Sequence, residues 1–400
     1  MTARTAALAG RISFTLALGT GLLALSSCRN HDFPEYPANY REFAYVPNGG
    51  SNTVSVFDVV NVRLDRVIPV GQNPTGVSVN PKRNEVYVVN SGSGQGSSAN
   101  GSVSVIDTAK NAVVASIPVG RQPYFIDVDA AGDLAYVANA GSNSVSVIDL
   151  TSRREIGAAG TGEGPGLARI SPDGRSLVVT NRVGNSVSIL SAKGHGVPVM
   201  RKVLEGCPGA TDAVILPDST KAFVACSAGH QIMAIALAKA EDANGPARTD
   251  ALEAMLDVGH SPVHLALKPD GGELFVSNFD SDSISEVVTS RDEVGGAYLM
   301  GSHPVRGLVT ADNLLLYESN FSSQEISLYS IEDGKRVAPS IHVGDGPDAM
   351  AFSSGGRLLF AVDARSSDVA VIRTSTPSLF TLLPTGRQPN AIAIKAFHVQ

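Results

Sequence analysis

The 400-residue sequence lacks tryptophan and contains only three cysteines. It has no Cys-x-x-Cys-His motif for c-type haem, no His-Glu-x-x-His motif, no P-loop and no Gly-x-Ser-x-Gly turn. No cysteines and histidines have the spacing of zinc ligands, and the Asp-Gly pairs at 173–174 and 270–271 are typical of hairpin turns rather than calcium loops. The sequence therefore predicts no metal site and no cofactor.

Basic clusters are also absent. The chain has 31 basic and 38 acidic residues, a net charge of −7. Such an acidic balance opposes binding to phosphate backbones, so we expect no nucleic-acid partner.

The first 28 residues differ from the rest. Arg4 and Arg11 precede a short apolar run, which ends in Leu-Ser-Ser-Cys at Cys28. This pattern is typical of a secretory signal, and its ending resembles a bacterial lipobox, so we expect cleavage to leave a lipidated Cys28. An ordinary signal peptide with an incidental cysteine is the alternative. We assign residues 1–28 to the signal peptide, 29–42 to a polar tether and 43–400 to one folded domain.

Two motifs recur at a nearly constant period. The first is a glycine followed three residues later by a proline, at 71–74, 120–123, 162–165, 259–262, 301–304, 344–347 and 386–389, with Gly206-Cys207-Pro208 as a shorter copy. The second is a Tyr-Val-x-Asn type, at 45–48, 87–90, 136–139, 178–181, 223–226, 275–278, 317–320 and 360–363. Both counts are eight.

Each period holds four short runs of β-forming residues, which is the signature of a β-propeller blade. A blade has two faces that cannot be buried alone, and stacking the blades in a ring buries both. We therefore predict an all-β propeller of eight four-stranded blades. The chain begins at a second strand (43–48) and ends with an innermost strand (390–395), so we expect the C-terminal strand to close the ring in the N-terminal blade.

The stretch YVANAGSNSVSVID at 136–149 and the stretch IPVGRQP at 117–123 resemble the YVTN family of β-propeller repeats, which occurs in bacterial and archaeal surface proteins. The resemblance covers about residues 43–400 and is weakest at 223–226, 317–320 and 360–363. Many members of that family have seven blades, which is the alternative to the eight repeats counted here.

Candidate site residues emerge when the innermost strands are aligned. Asp212, His264 and Arg306 take one position in three consecutive units, where the other units have small or apolar residues. His260 and His303 lie in the crossings above them. An acid, histidines and an arginine beside a channel suit binding of an anionic ligand or acid–base chemistry. The alternative is a salt-bridged plug, or side chains that simply face solvent.

The remaining cysteines are predicted to form a disulfide. Cys207 lies at the end of an innermost strand and Cys226 at the adjacent end of the next strand of the same blade. Such ends are about 4.5–5.5 Å apart in an antiparallel pair, within disulfide range. The export signal places both thiols in an oxidising compartment.

Three functions are compatible with these features. The first, which the lack of a catalytic motif favours, is a lipid-anchored, non-enzymatic scaffold at the periplasm or cell surface. It would be a monomer, held to the membrane by its lipid, that binds a protein, glycan or small ligand at the channel mouth. The second is a lactonase-like hydrolase, since such propellers resemble this repeat. The third is a haem-binding or haem-processing periplasmic propeller.

We expect the mature protein to begin at a lipidated Cys28, because the apolar run ends at a cysteine preceded by two small residues. Mass spectrometry of the exported protein tests this. A mature N-terminus without lipid, or one upstream of Cys28, would contradict the prediction.

Overall fold

The computed structural model describes residues 35–92, 99–239 and 247–399. The predicted signal peptide and Cys28 lie outside these residues. The described chain forms strands almost throughout, with one short 3-10 helix at Phe279–Ser281. No helix within these ranges is long and apolar enough to cross a membrane.

The strands form eight antiparallel four-stranded sheets, so the predicted all-β propeller of eight blades is confirmed. Blade 1 contains β1 (Tyr40–Asn48), β2 (Thr53–Asp58), β3 (Arg63–Pro69) and the C-terminal strand β32 (Ala393–His398). Blade 2 contains β4 (Pro74–Val79), β5 (Glu85–Asn90), β6 (Asn100–Asp107) and β7 (Ala112–Arg121). Blade 3 contains β8 (Pro123–Val128), β9 (Leu134–Asn139), β10 (Ser144–Asp149) and β11 (Arg154–Gly160). Blade 4 contains β12 (Pro165–Ile170), β13 (Ser176–Asn181), β14 (Ser186–Ser191) and β15 (Val199–Glu205).

The second half of the ring repeats this order. Blade 5 contains β16 (Ala210–Ile215), β17 (Lys221–Cys226), β18 (Gln231–Ala236) and β19 (Ala251–Asp257). Blade 6 contains β20 (Pro262–Leu267), β21 (Glu273–Asn278), β22 (Ser283–Val288) and β23 (Glu293–Leu299). Blade 7 contains β24 (Pro304–Val309), β25 (Leu315–Asn320), β26 (Glu325–Ser330) and β27 (Lys335–His342). Blade 8 contains β28 (Pro347–Phe352), β29 (Leu358–Asp363), β30 (Asp368–Arg373) and β31 (Ser378–Pro384).

Burial follows the position of each strand in its blade. The strand after each crossing lies innermost, beside the innermost strands of the neighbouring blades. The second strand is buried on both faces, and every residue of β5, β9 and β13 is buried. The fourth strand is largely exposed, as in β3. Because a blade packs against a neighbour on each face, its central strands carry almost continuous apolar sequence instead of simple alternation.

The ring is closed by the predicted pairing of the chain ends. Strand β32 pairs antiparallel with β1, with Tyr40 opposite His398 and Tyr45 opposite Ala393. Strand β1 begins at Tyr40, so residues 40–42, which the sequence assigned to the tether, belong to blade 1. The closure uses main-chain hydrogen bonds between residues from opposite ends of the chain.

A close contact explains why the two repeated motifs occur together. A Cβ atom added to Gly120 would lie 2.6 Å from Cγ of Asn139, and one added to Gly71 would lie 2.6 Å from Cγ of Asn90. The same contact is made by Gly162, Gly259, Gly301 and Gly386 with the asparagines of their blades. The amide nitrogen of Asn139 donates to the hydroxyl of Ser146 at 2.9 Å. The asparagine therefore joins two strands, and only glycine fits against it.

Blade 5 fills this space with the predicted disulfide. Cys207 and Cys226 are bonded, with their Cα atoms 4.8 Å apart. Cys207 corresponds to the residue before the glycine of other crossings, because its N–H donates to the carbonyl of Asn185 as that of Val70 does to the carbonyl of Asn52. Ala210, rather than Pro208, begins the innermost strand.

Blade 8 fills the same space with two acids. Asp363 takes the asparagine position, and Asp368 lies directly opposite on β30. The N–H of Gly344 donates to Oδ2 of Asp363 at 3.1 Å. Burial and the neighbouring carboxyl of Asp368 raise the pKa of Asp363 to about 9. Asp363 therefore keeps its proton at neutral pH.

The Asp363→Asn variant is expected to be more stable than the parent at pH 8. The folded chain binds the proton on Asp363 more tightly than the unfolded chain does, so protonation of Asp363 stabilises the fold. This stabilisation is fully present below about pH 4 and is lost as the pH rises towards about 9. One pKa unit corresponds to about 1.4 kcal/mol, so we expect the free energy of unfolding in urea to rise by more than about 1 kcal/mol at pH 8.

The control for this variant is Asp345→Asn, which removes one negative charge from a half-exposed carboxylate at the rim of the same blade. It should leave the pH dependence of unfolding almost unchanged. A stability difference between Asp363→Asn and the parent that is the same at pH 5 and pH 8 would contradict the assignment.

The Cys207→Ala, Cys226→Ala double variant is expected to lose about 3 kcal/mol of unfolding free energy, because the bond closes a short loop in the unfolded chain. Adding reductant to the parent should produce a similar loss, and Cys28→Ser should produce none. Two free thiols in the unfolded, unreduced Cys28→Ser protein would show that the bond does not form.

Candidate functional site

The innermost strands are bridged by side chains that reach the backbone of the next blade. Asp212 accepts a hydrogen bond from the N–H of Leu265 at 3.0 Å. His264 accepts one at Nδ1 from the N–H of Gly307 at 3.3 Å. The inner edge of each first strand has no further strand beside it. These side chains supply acceptors for main-chain N–H groups that would otherwise lack them.

His264 is held neutral in this arrangement. Burial lowers its pKa to about 4, and the positive charge of Arg306 acts in the same direction, while Asp212 opposes the shift. Since Nδ1 accepts the N–H of Gly307, the proton of the neutral ring is on Nε2, which lies 3.7 Å from Oδ2 of Asp212. The nitrogen with a free lone pair is thus already engaged, and His264 is a poor general base at neutral pH.

Arg306 occupies the same position one blade further on. Its Nε lies 3.7 Å from Oδ1 of Asp348 in a half-exposed ion pair, and that Nε is buried without a hydrogen-bond partner among the described residues. The predicted side chains Asp212, His264 and Arg306 therefore lie in consecutive blades beside the channel, and Arg306 reaches Asp348 of blade 8. Whether they bind a ligand stays a prediction.

Glu318 is a neighbouring acid that the sequence analysis missed. It is 1% exposed, and neither carboxyl oxygen has a hydrogen-bond partner within the described chain. Burial raises its pKa to about 8, although Ser277 and Arg306 oppose the shift. Glu318 takes the place of the second residue of Tyr-Val-x-Asn, which is valine or alanine in the other repeats. That exception was visible in the sequence.

Gly307 makes the space that Glu318 occupies. It lies opposite Glu318 in the sheet, and a Cβ atom on Gly307 would be 2.8 Å from Oε2. The aligned position holds a residue with a side chain in every other blade, such as Val77 or Met350. Gly307 and Glu318 thus place a neutral carboxylic acid between blades 6 and 7, where the aligned residues of other blades make an apolar contact.

The predicted rim histidines lie in the crossing loops. His260 is exposed, and its ring centre lies 5.9 Å from that of His230. His303 packs against Phe279 with tilted rings whose centres are 4.3 Å apart, and its Nδ1 lies 2.9 Å from the hydroxyl of Ser322. In the described ranges, no group of three or more His, Cys, Asp or Glu side chains is arranged to hold a metal ion.

A cavity of about 490 Å³ opens in another sector of the same mouth, bounded by blades 2–5. Its lining includes Tyr124 and Val183, which are 58% and 60% exposed, and Arg182. None of the predicted site residues lines it. Tyr124 lies at the start of the innermost strand β8, and Val183 lies in the turn between β13 and β14. The aligned residues are Thr75 in blade 2 and Gly50 in blade 1. The sequence alignment considered a different rim position and so missed this cavity.

The fold is similar to that of several solved structures. Dihydro-heme d1 dehydrogenase NirN, in complex with DHE, has a TM-score of 0.71 at 16% identity over 90% of this chain and 76% of that chain. Hydrazine synthase of Kuenenia stuttgartiensis has a TM-score of 0.55 at 22% identity over 72% of this chain and 91% of that chain. A proposed 6-phosphogluconolactonase from Bacteroides fragilis has a TM-score of 0.56 at 14% identity over 90% and 99%.

No protein-family model matches the sequence, and no curated protein matches it. The solved structures carry different chemistry on a common scaffold, and at these identities they share with this chain the propeller fold alone.

Proposed function

We propose that this protein is a binding protein of the bacterial cell envelope, whose channel mouth takes a small ligand with an apolar body. The observation that carries this proposal is the cavity of about 490 Å³ with Tyr124 and Val183 exposed in its lining. Ligand sites are concave, largely apolar and of about 300–1,000 Å³. Tyrosine also contributes a hydroxyl that can orient a bound molecule.

The location of the protein is part of the proposal. The lipobox at Cys28 and the polar tether that follows support a propeller held at a membrane surface by lipid. The resemblance of the repeats to YVTN surface proteins supports the same location. Several acyl chains hold a lipoprotein firmly, whereas a single chain binds weakly.

The alternative functions have less support from the geometry. Hydrolysis of a lactone needs a base or a positioned nucleophile, but the lowered pKa of His264 makes it a weak base, and its Nδ1 lone pair already accepts the N–H of Gly307. Haem binding needs a histidine directed over an open channel, whereas the ring of His303 packs against Phe279 and that of His260 against His230. The solved structures named above include both chemistries, but their low identity favours neither for this chain.

The test uses the methyl ester of dansylaminoundecanoic acid, an uncharged apolar fluorophore, with Cys28→Ser as a lipid-free background. We expect saturable binding, seen as a rise in dansyl fluorescence. Val183→Asp should weaken binding by at least about tenfold, because it places a charge against the apolar body.

The matched control is Leu299→Asp. Leu299 is 75% exposed on the outer strand β23 and does not line the cavity. It should bind the ester as the parent does, and circular dichroism checks that both variants stay folded. Absent binding, or equal loss in both variants, would overturn the proposal.

A further inference from the structure

We propose that the ligand is an amphipathic carboxylate, whose acid group binds the guanidinium of Arg306 while its apolar body lies in the mouth cavity. This inference rests on the proposed function and adds the chemical class of the ligand. Arg306 belongs to the innermost strand β24, and the cavity is lined by residues at the starts of innermost strands of other blades, such as Thr75 and Thr211. Both features therefore lie at the same level of one channel.

Arg306 has donors that the protein does not use. Its side chain is 40% exposed, and Asp348, its ion-pair partner among the described residues, lies 3.7 Å from Nε. Within the described chain, Arg306 donates no hydrogen bond from Nε, although this atom is buried. Half-exposed pairs of this length contribute little. A guanidinium presents a planar set of N–H groups that matches a carboxylate in two-point geometry.

The acids that could neutralise Arg306 are otherwise engaged. Asp212 accepts the N–H groups of Ala213 and Leu265. Glu318 is buried beside Arg306 with its pKa raised to about 8, so it carries no charge at neutral pH. His264 is also neutral. Of the acids near Arg306, Asp348 at 3.7 Å is therefore the one that pairs with it at neutral pH.

The other cations of the innermost strands are committed. Arg169 donates to the carbonyl of Ala213 and pairs with Asp127 at 3.5 Å. Lys395 is buried and donates to the carbonyl of Asn80 at 2.5 Å. Arg306 is thus the cation in this layer with the greatest unused capacity for an anion. A long flexible acyl chain is needed to join it to the cavity.

The experiment compares dansylaminoundecanoic acid with its methyl ester at pH 7. We expect the free acid to bind at least about tenfold more tightly than the ester, which corresponds to about 1.4 kcal/mol. Arg306→Gln should abolish this advantage, because binding of the free acid falls to the level of the ester in the same variant. Arg121→Gln, which removes an exposed arginine from the same rim, should leave the advantage intact.

The outcomes separate the two proposals. Normal ester binding with no advantage for the acid, or an advantage that survives Arg306→Gln, overturns the carboxylate inference and leaves the binding function standing. An advantage lost in Arg182→Gln instead assigns the anion to the cavity arginine and also overturns it. Failure of the ester to bind overturns the proposed function itself.

Glu318 provides a readout that a purely structural role for Arg306 would not produce. Above about pH 8 its carboxylate competes for Arg306, so affinity for the free acid should fall between pH 7 and pH 9 in the parent. The charged or titratable groups that interact with Arg306 are Asp348, Glu318 and His264, and Asp212 lies behind His264. Burial raises the pKa of Glu318 into this range, whereas the pKa of His264 is lowered to about 4. Glu318→Gln should remove the decrease, and a decrease that persists would contradict this competition.

Discussion

The pairing of β32 with β1 is the interaction on which the rest of the ring depends. Successive residues of β1 serve opposite faces of blade 1: Val46 packs with Phe360 of blade 8, whereas Tyr45 packs with Val88 of blade 2. The core is therefore a set of layers between blades, and it is complete only when the last blade meets the first. An open ring would leave two apolar faces exposed to water.

The space between crossing loop and second strand is filled in three chemical ways. Six blades use glycine against asparagine, blade 5 uses the disulfide, and blade 8 uses an acid pair that holds a proton. Each solution joins the second strand to a neighbouring segment. The stability of these links depends on different conditions: that of the disulfide depends on redox conditions, and that of the acid pair depends on pH.

The channel combines structural and unused polar groups in one layer. Asp212 and His264 accept main-chain N–H groups across the blade boundaries, so their presence there follows from the unpaired inner edges. Within the described part of the chain, Arg306 and Glu318 make no comparable bridge through their side chains. Burial keeps Glu318 neutral, and this leaves the charge of Arg306 poorly compensated. That imbalance distinguishes blade 7 from blades 5 and 6.

The sequence by itself determined the number of blades, the phase of the ring and the disulfide. The reason is that short-range motifs repeat in every unit, and the pairing of neighbouring strands follows directly from their order. It also identified Asp212, His264 and Arg306 as neighbours, because one position was compared across all repeats. Only the tertiary structure decided what they do: the lone pair of His264 is directed at Gly307 of the next blade, a contact between residues far apart in sequence. The cavity with Tyr124 and Val183 likewise arises from strand starts and loops of several blades, whose separation across the channel no repeat pattern encodes.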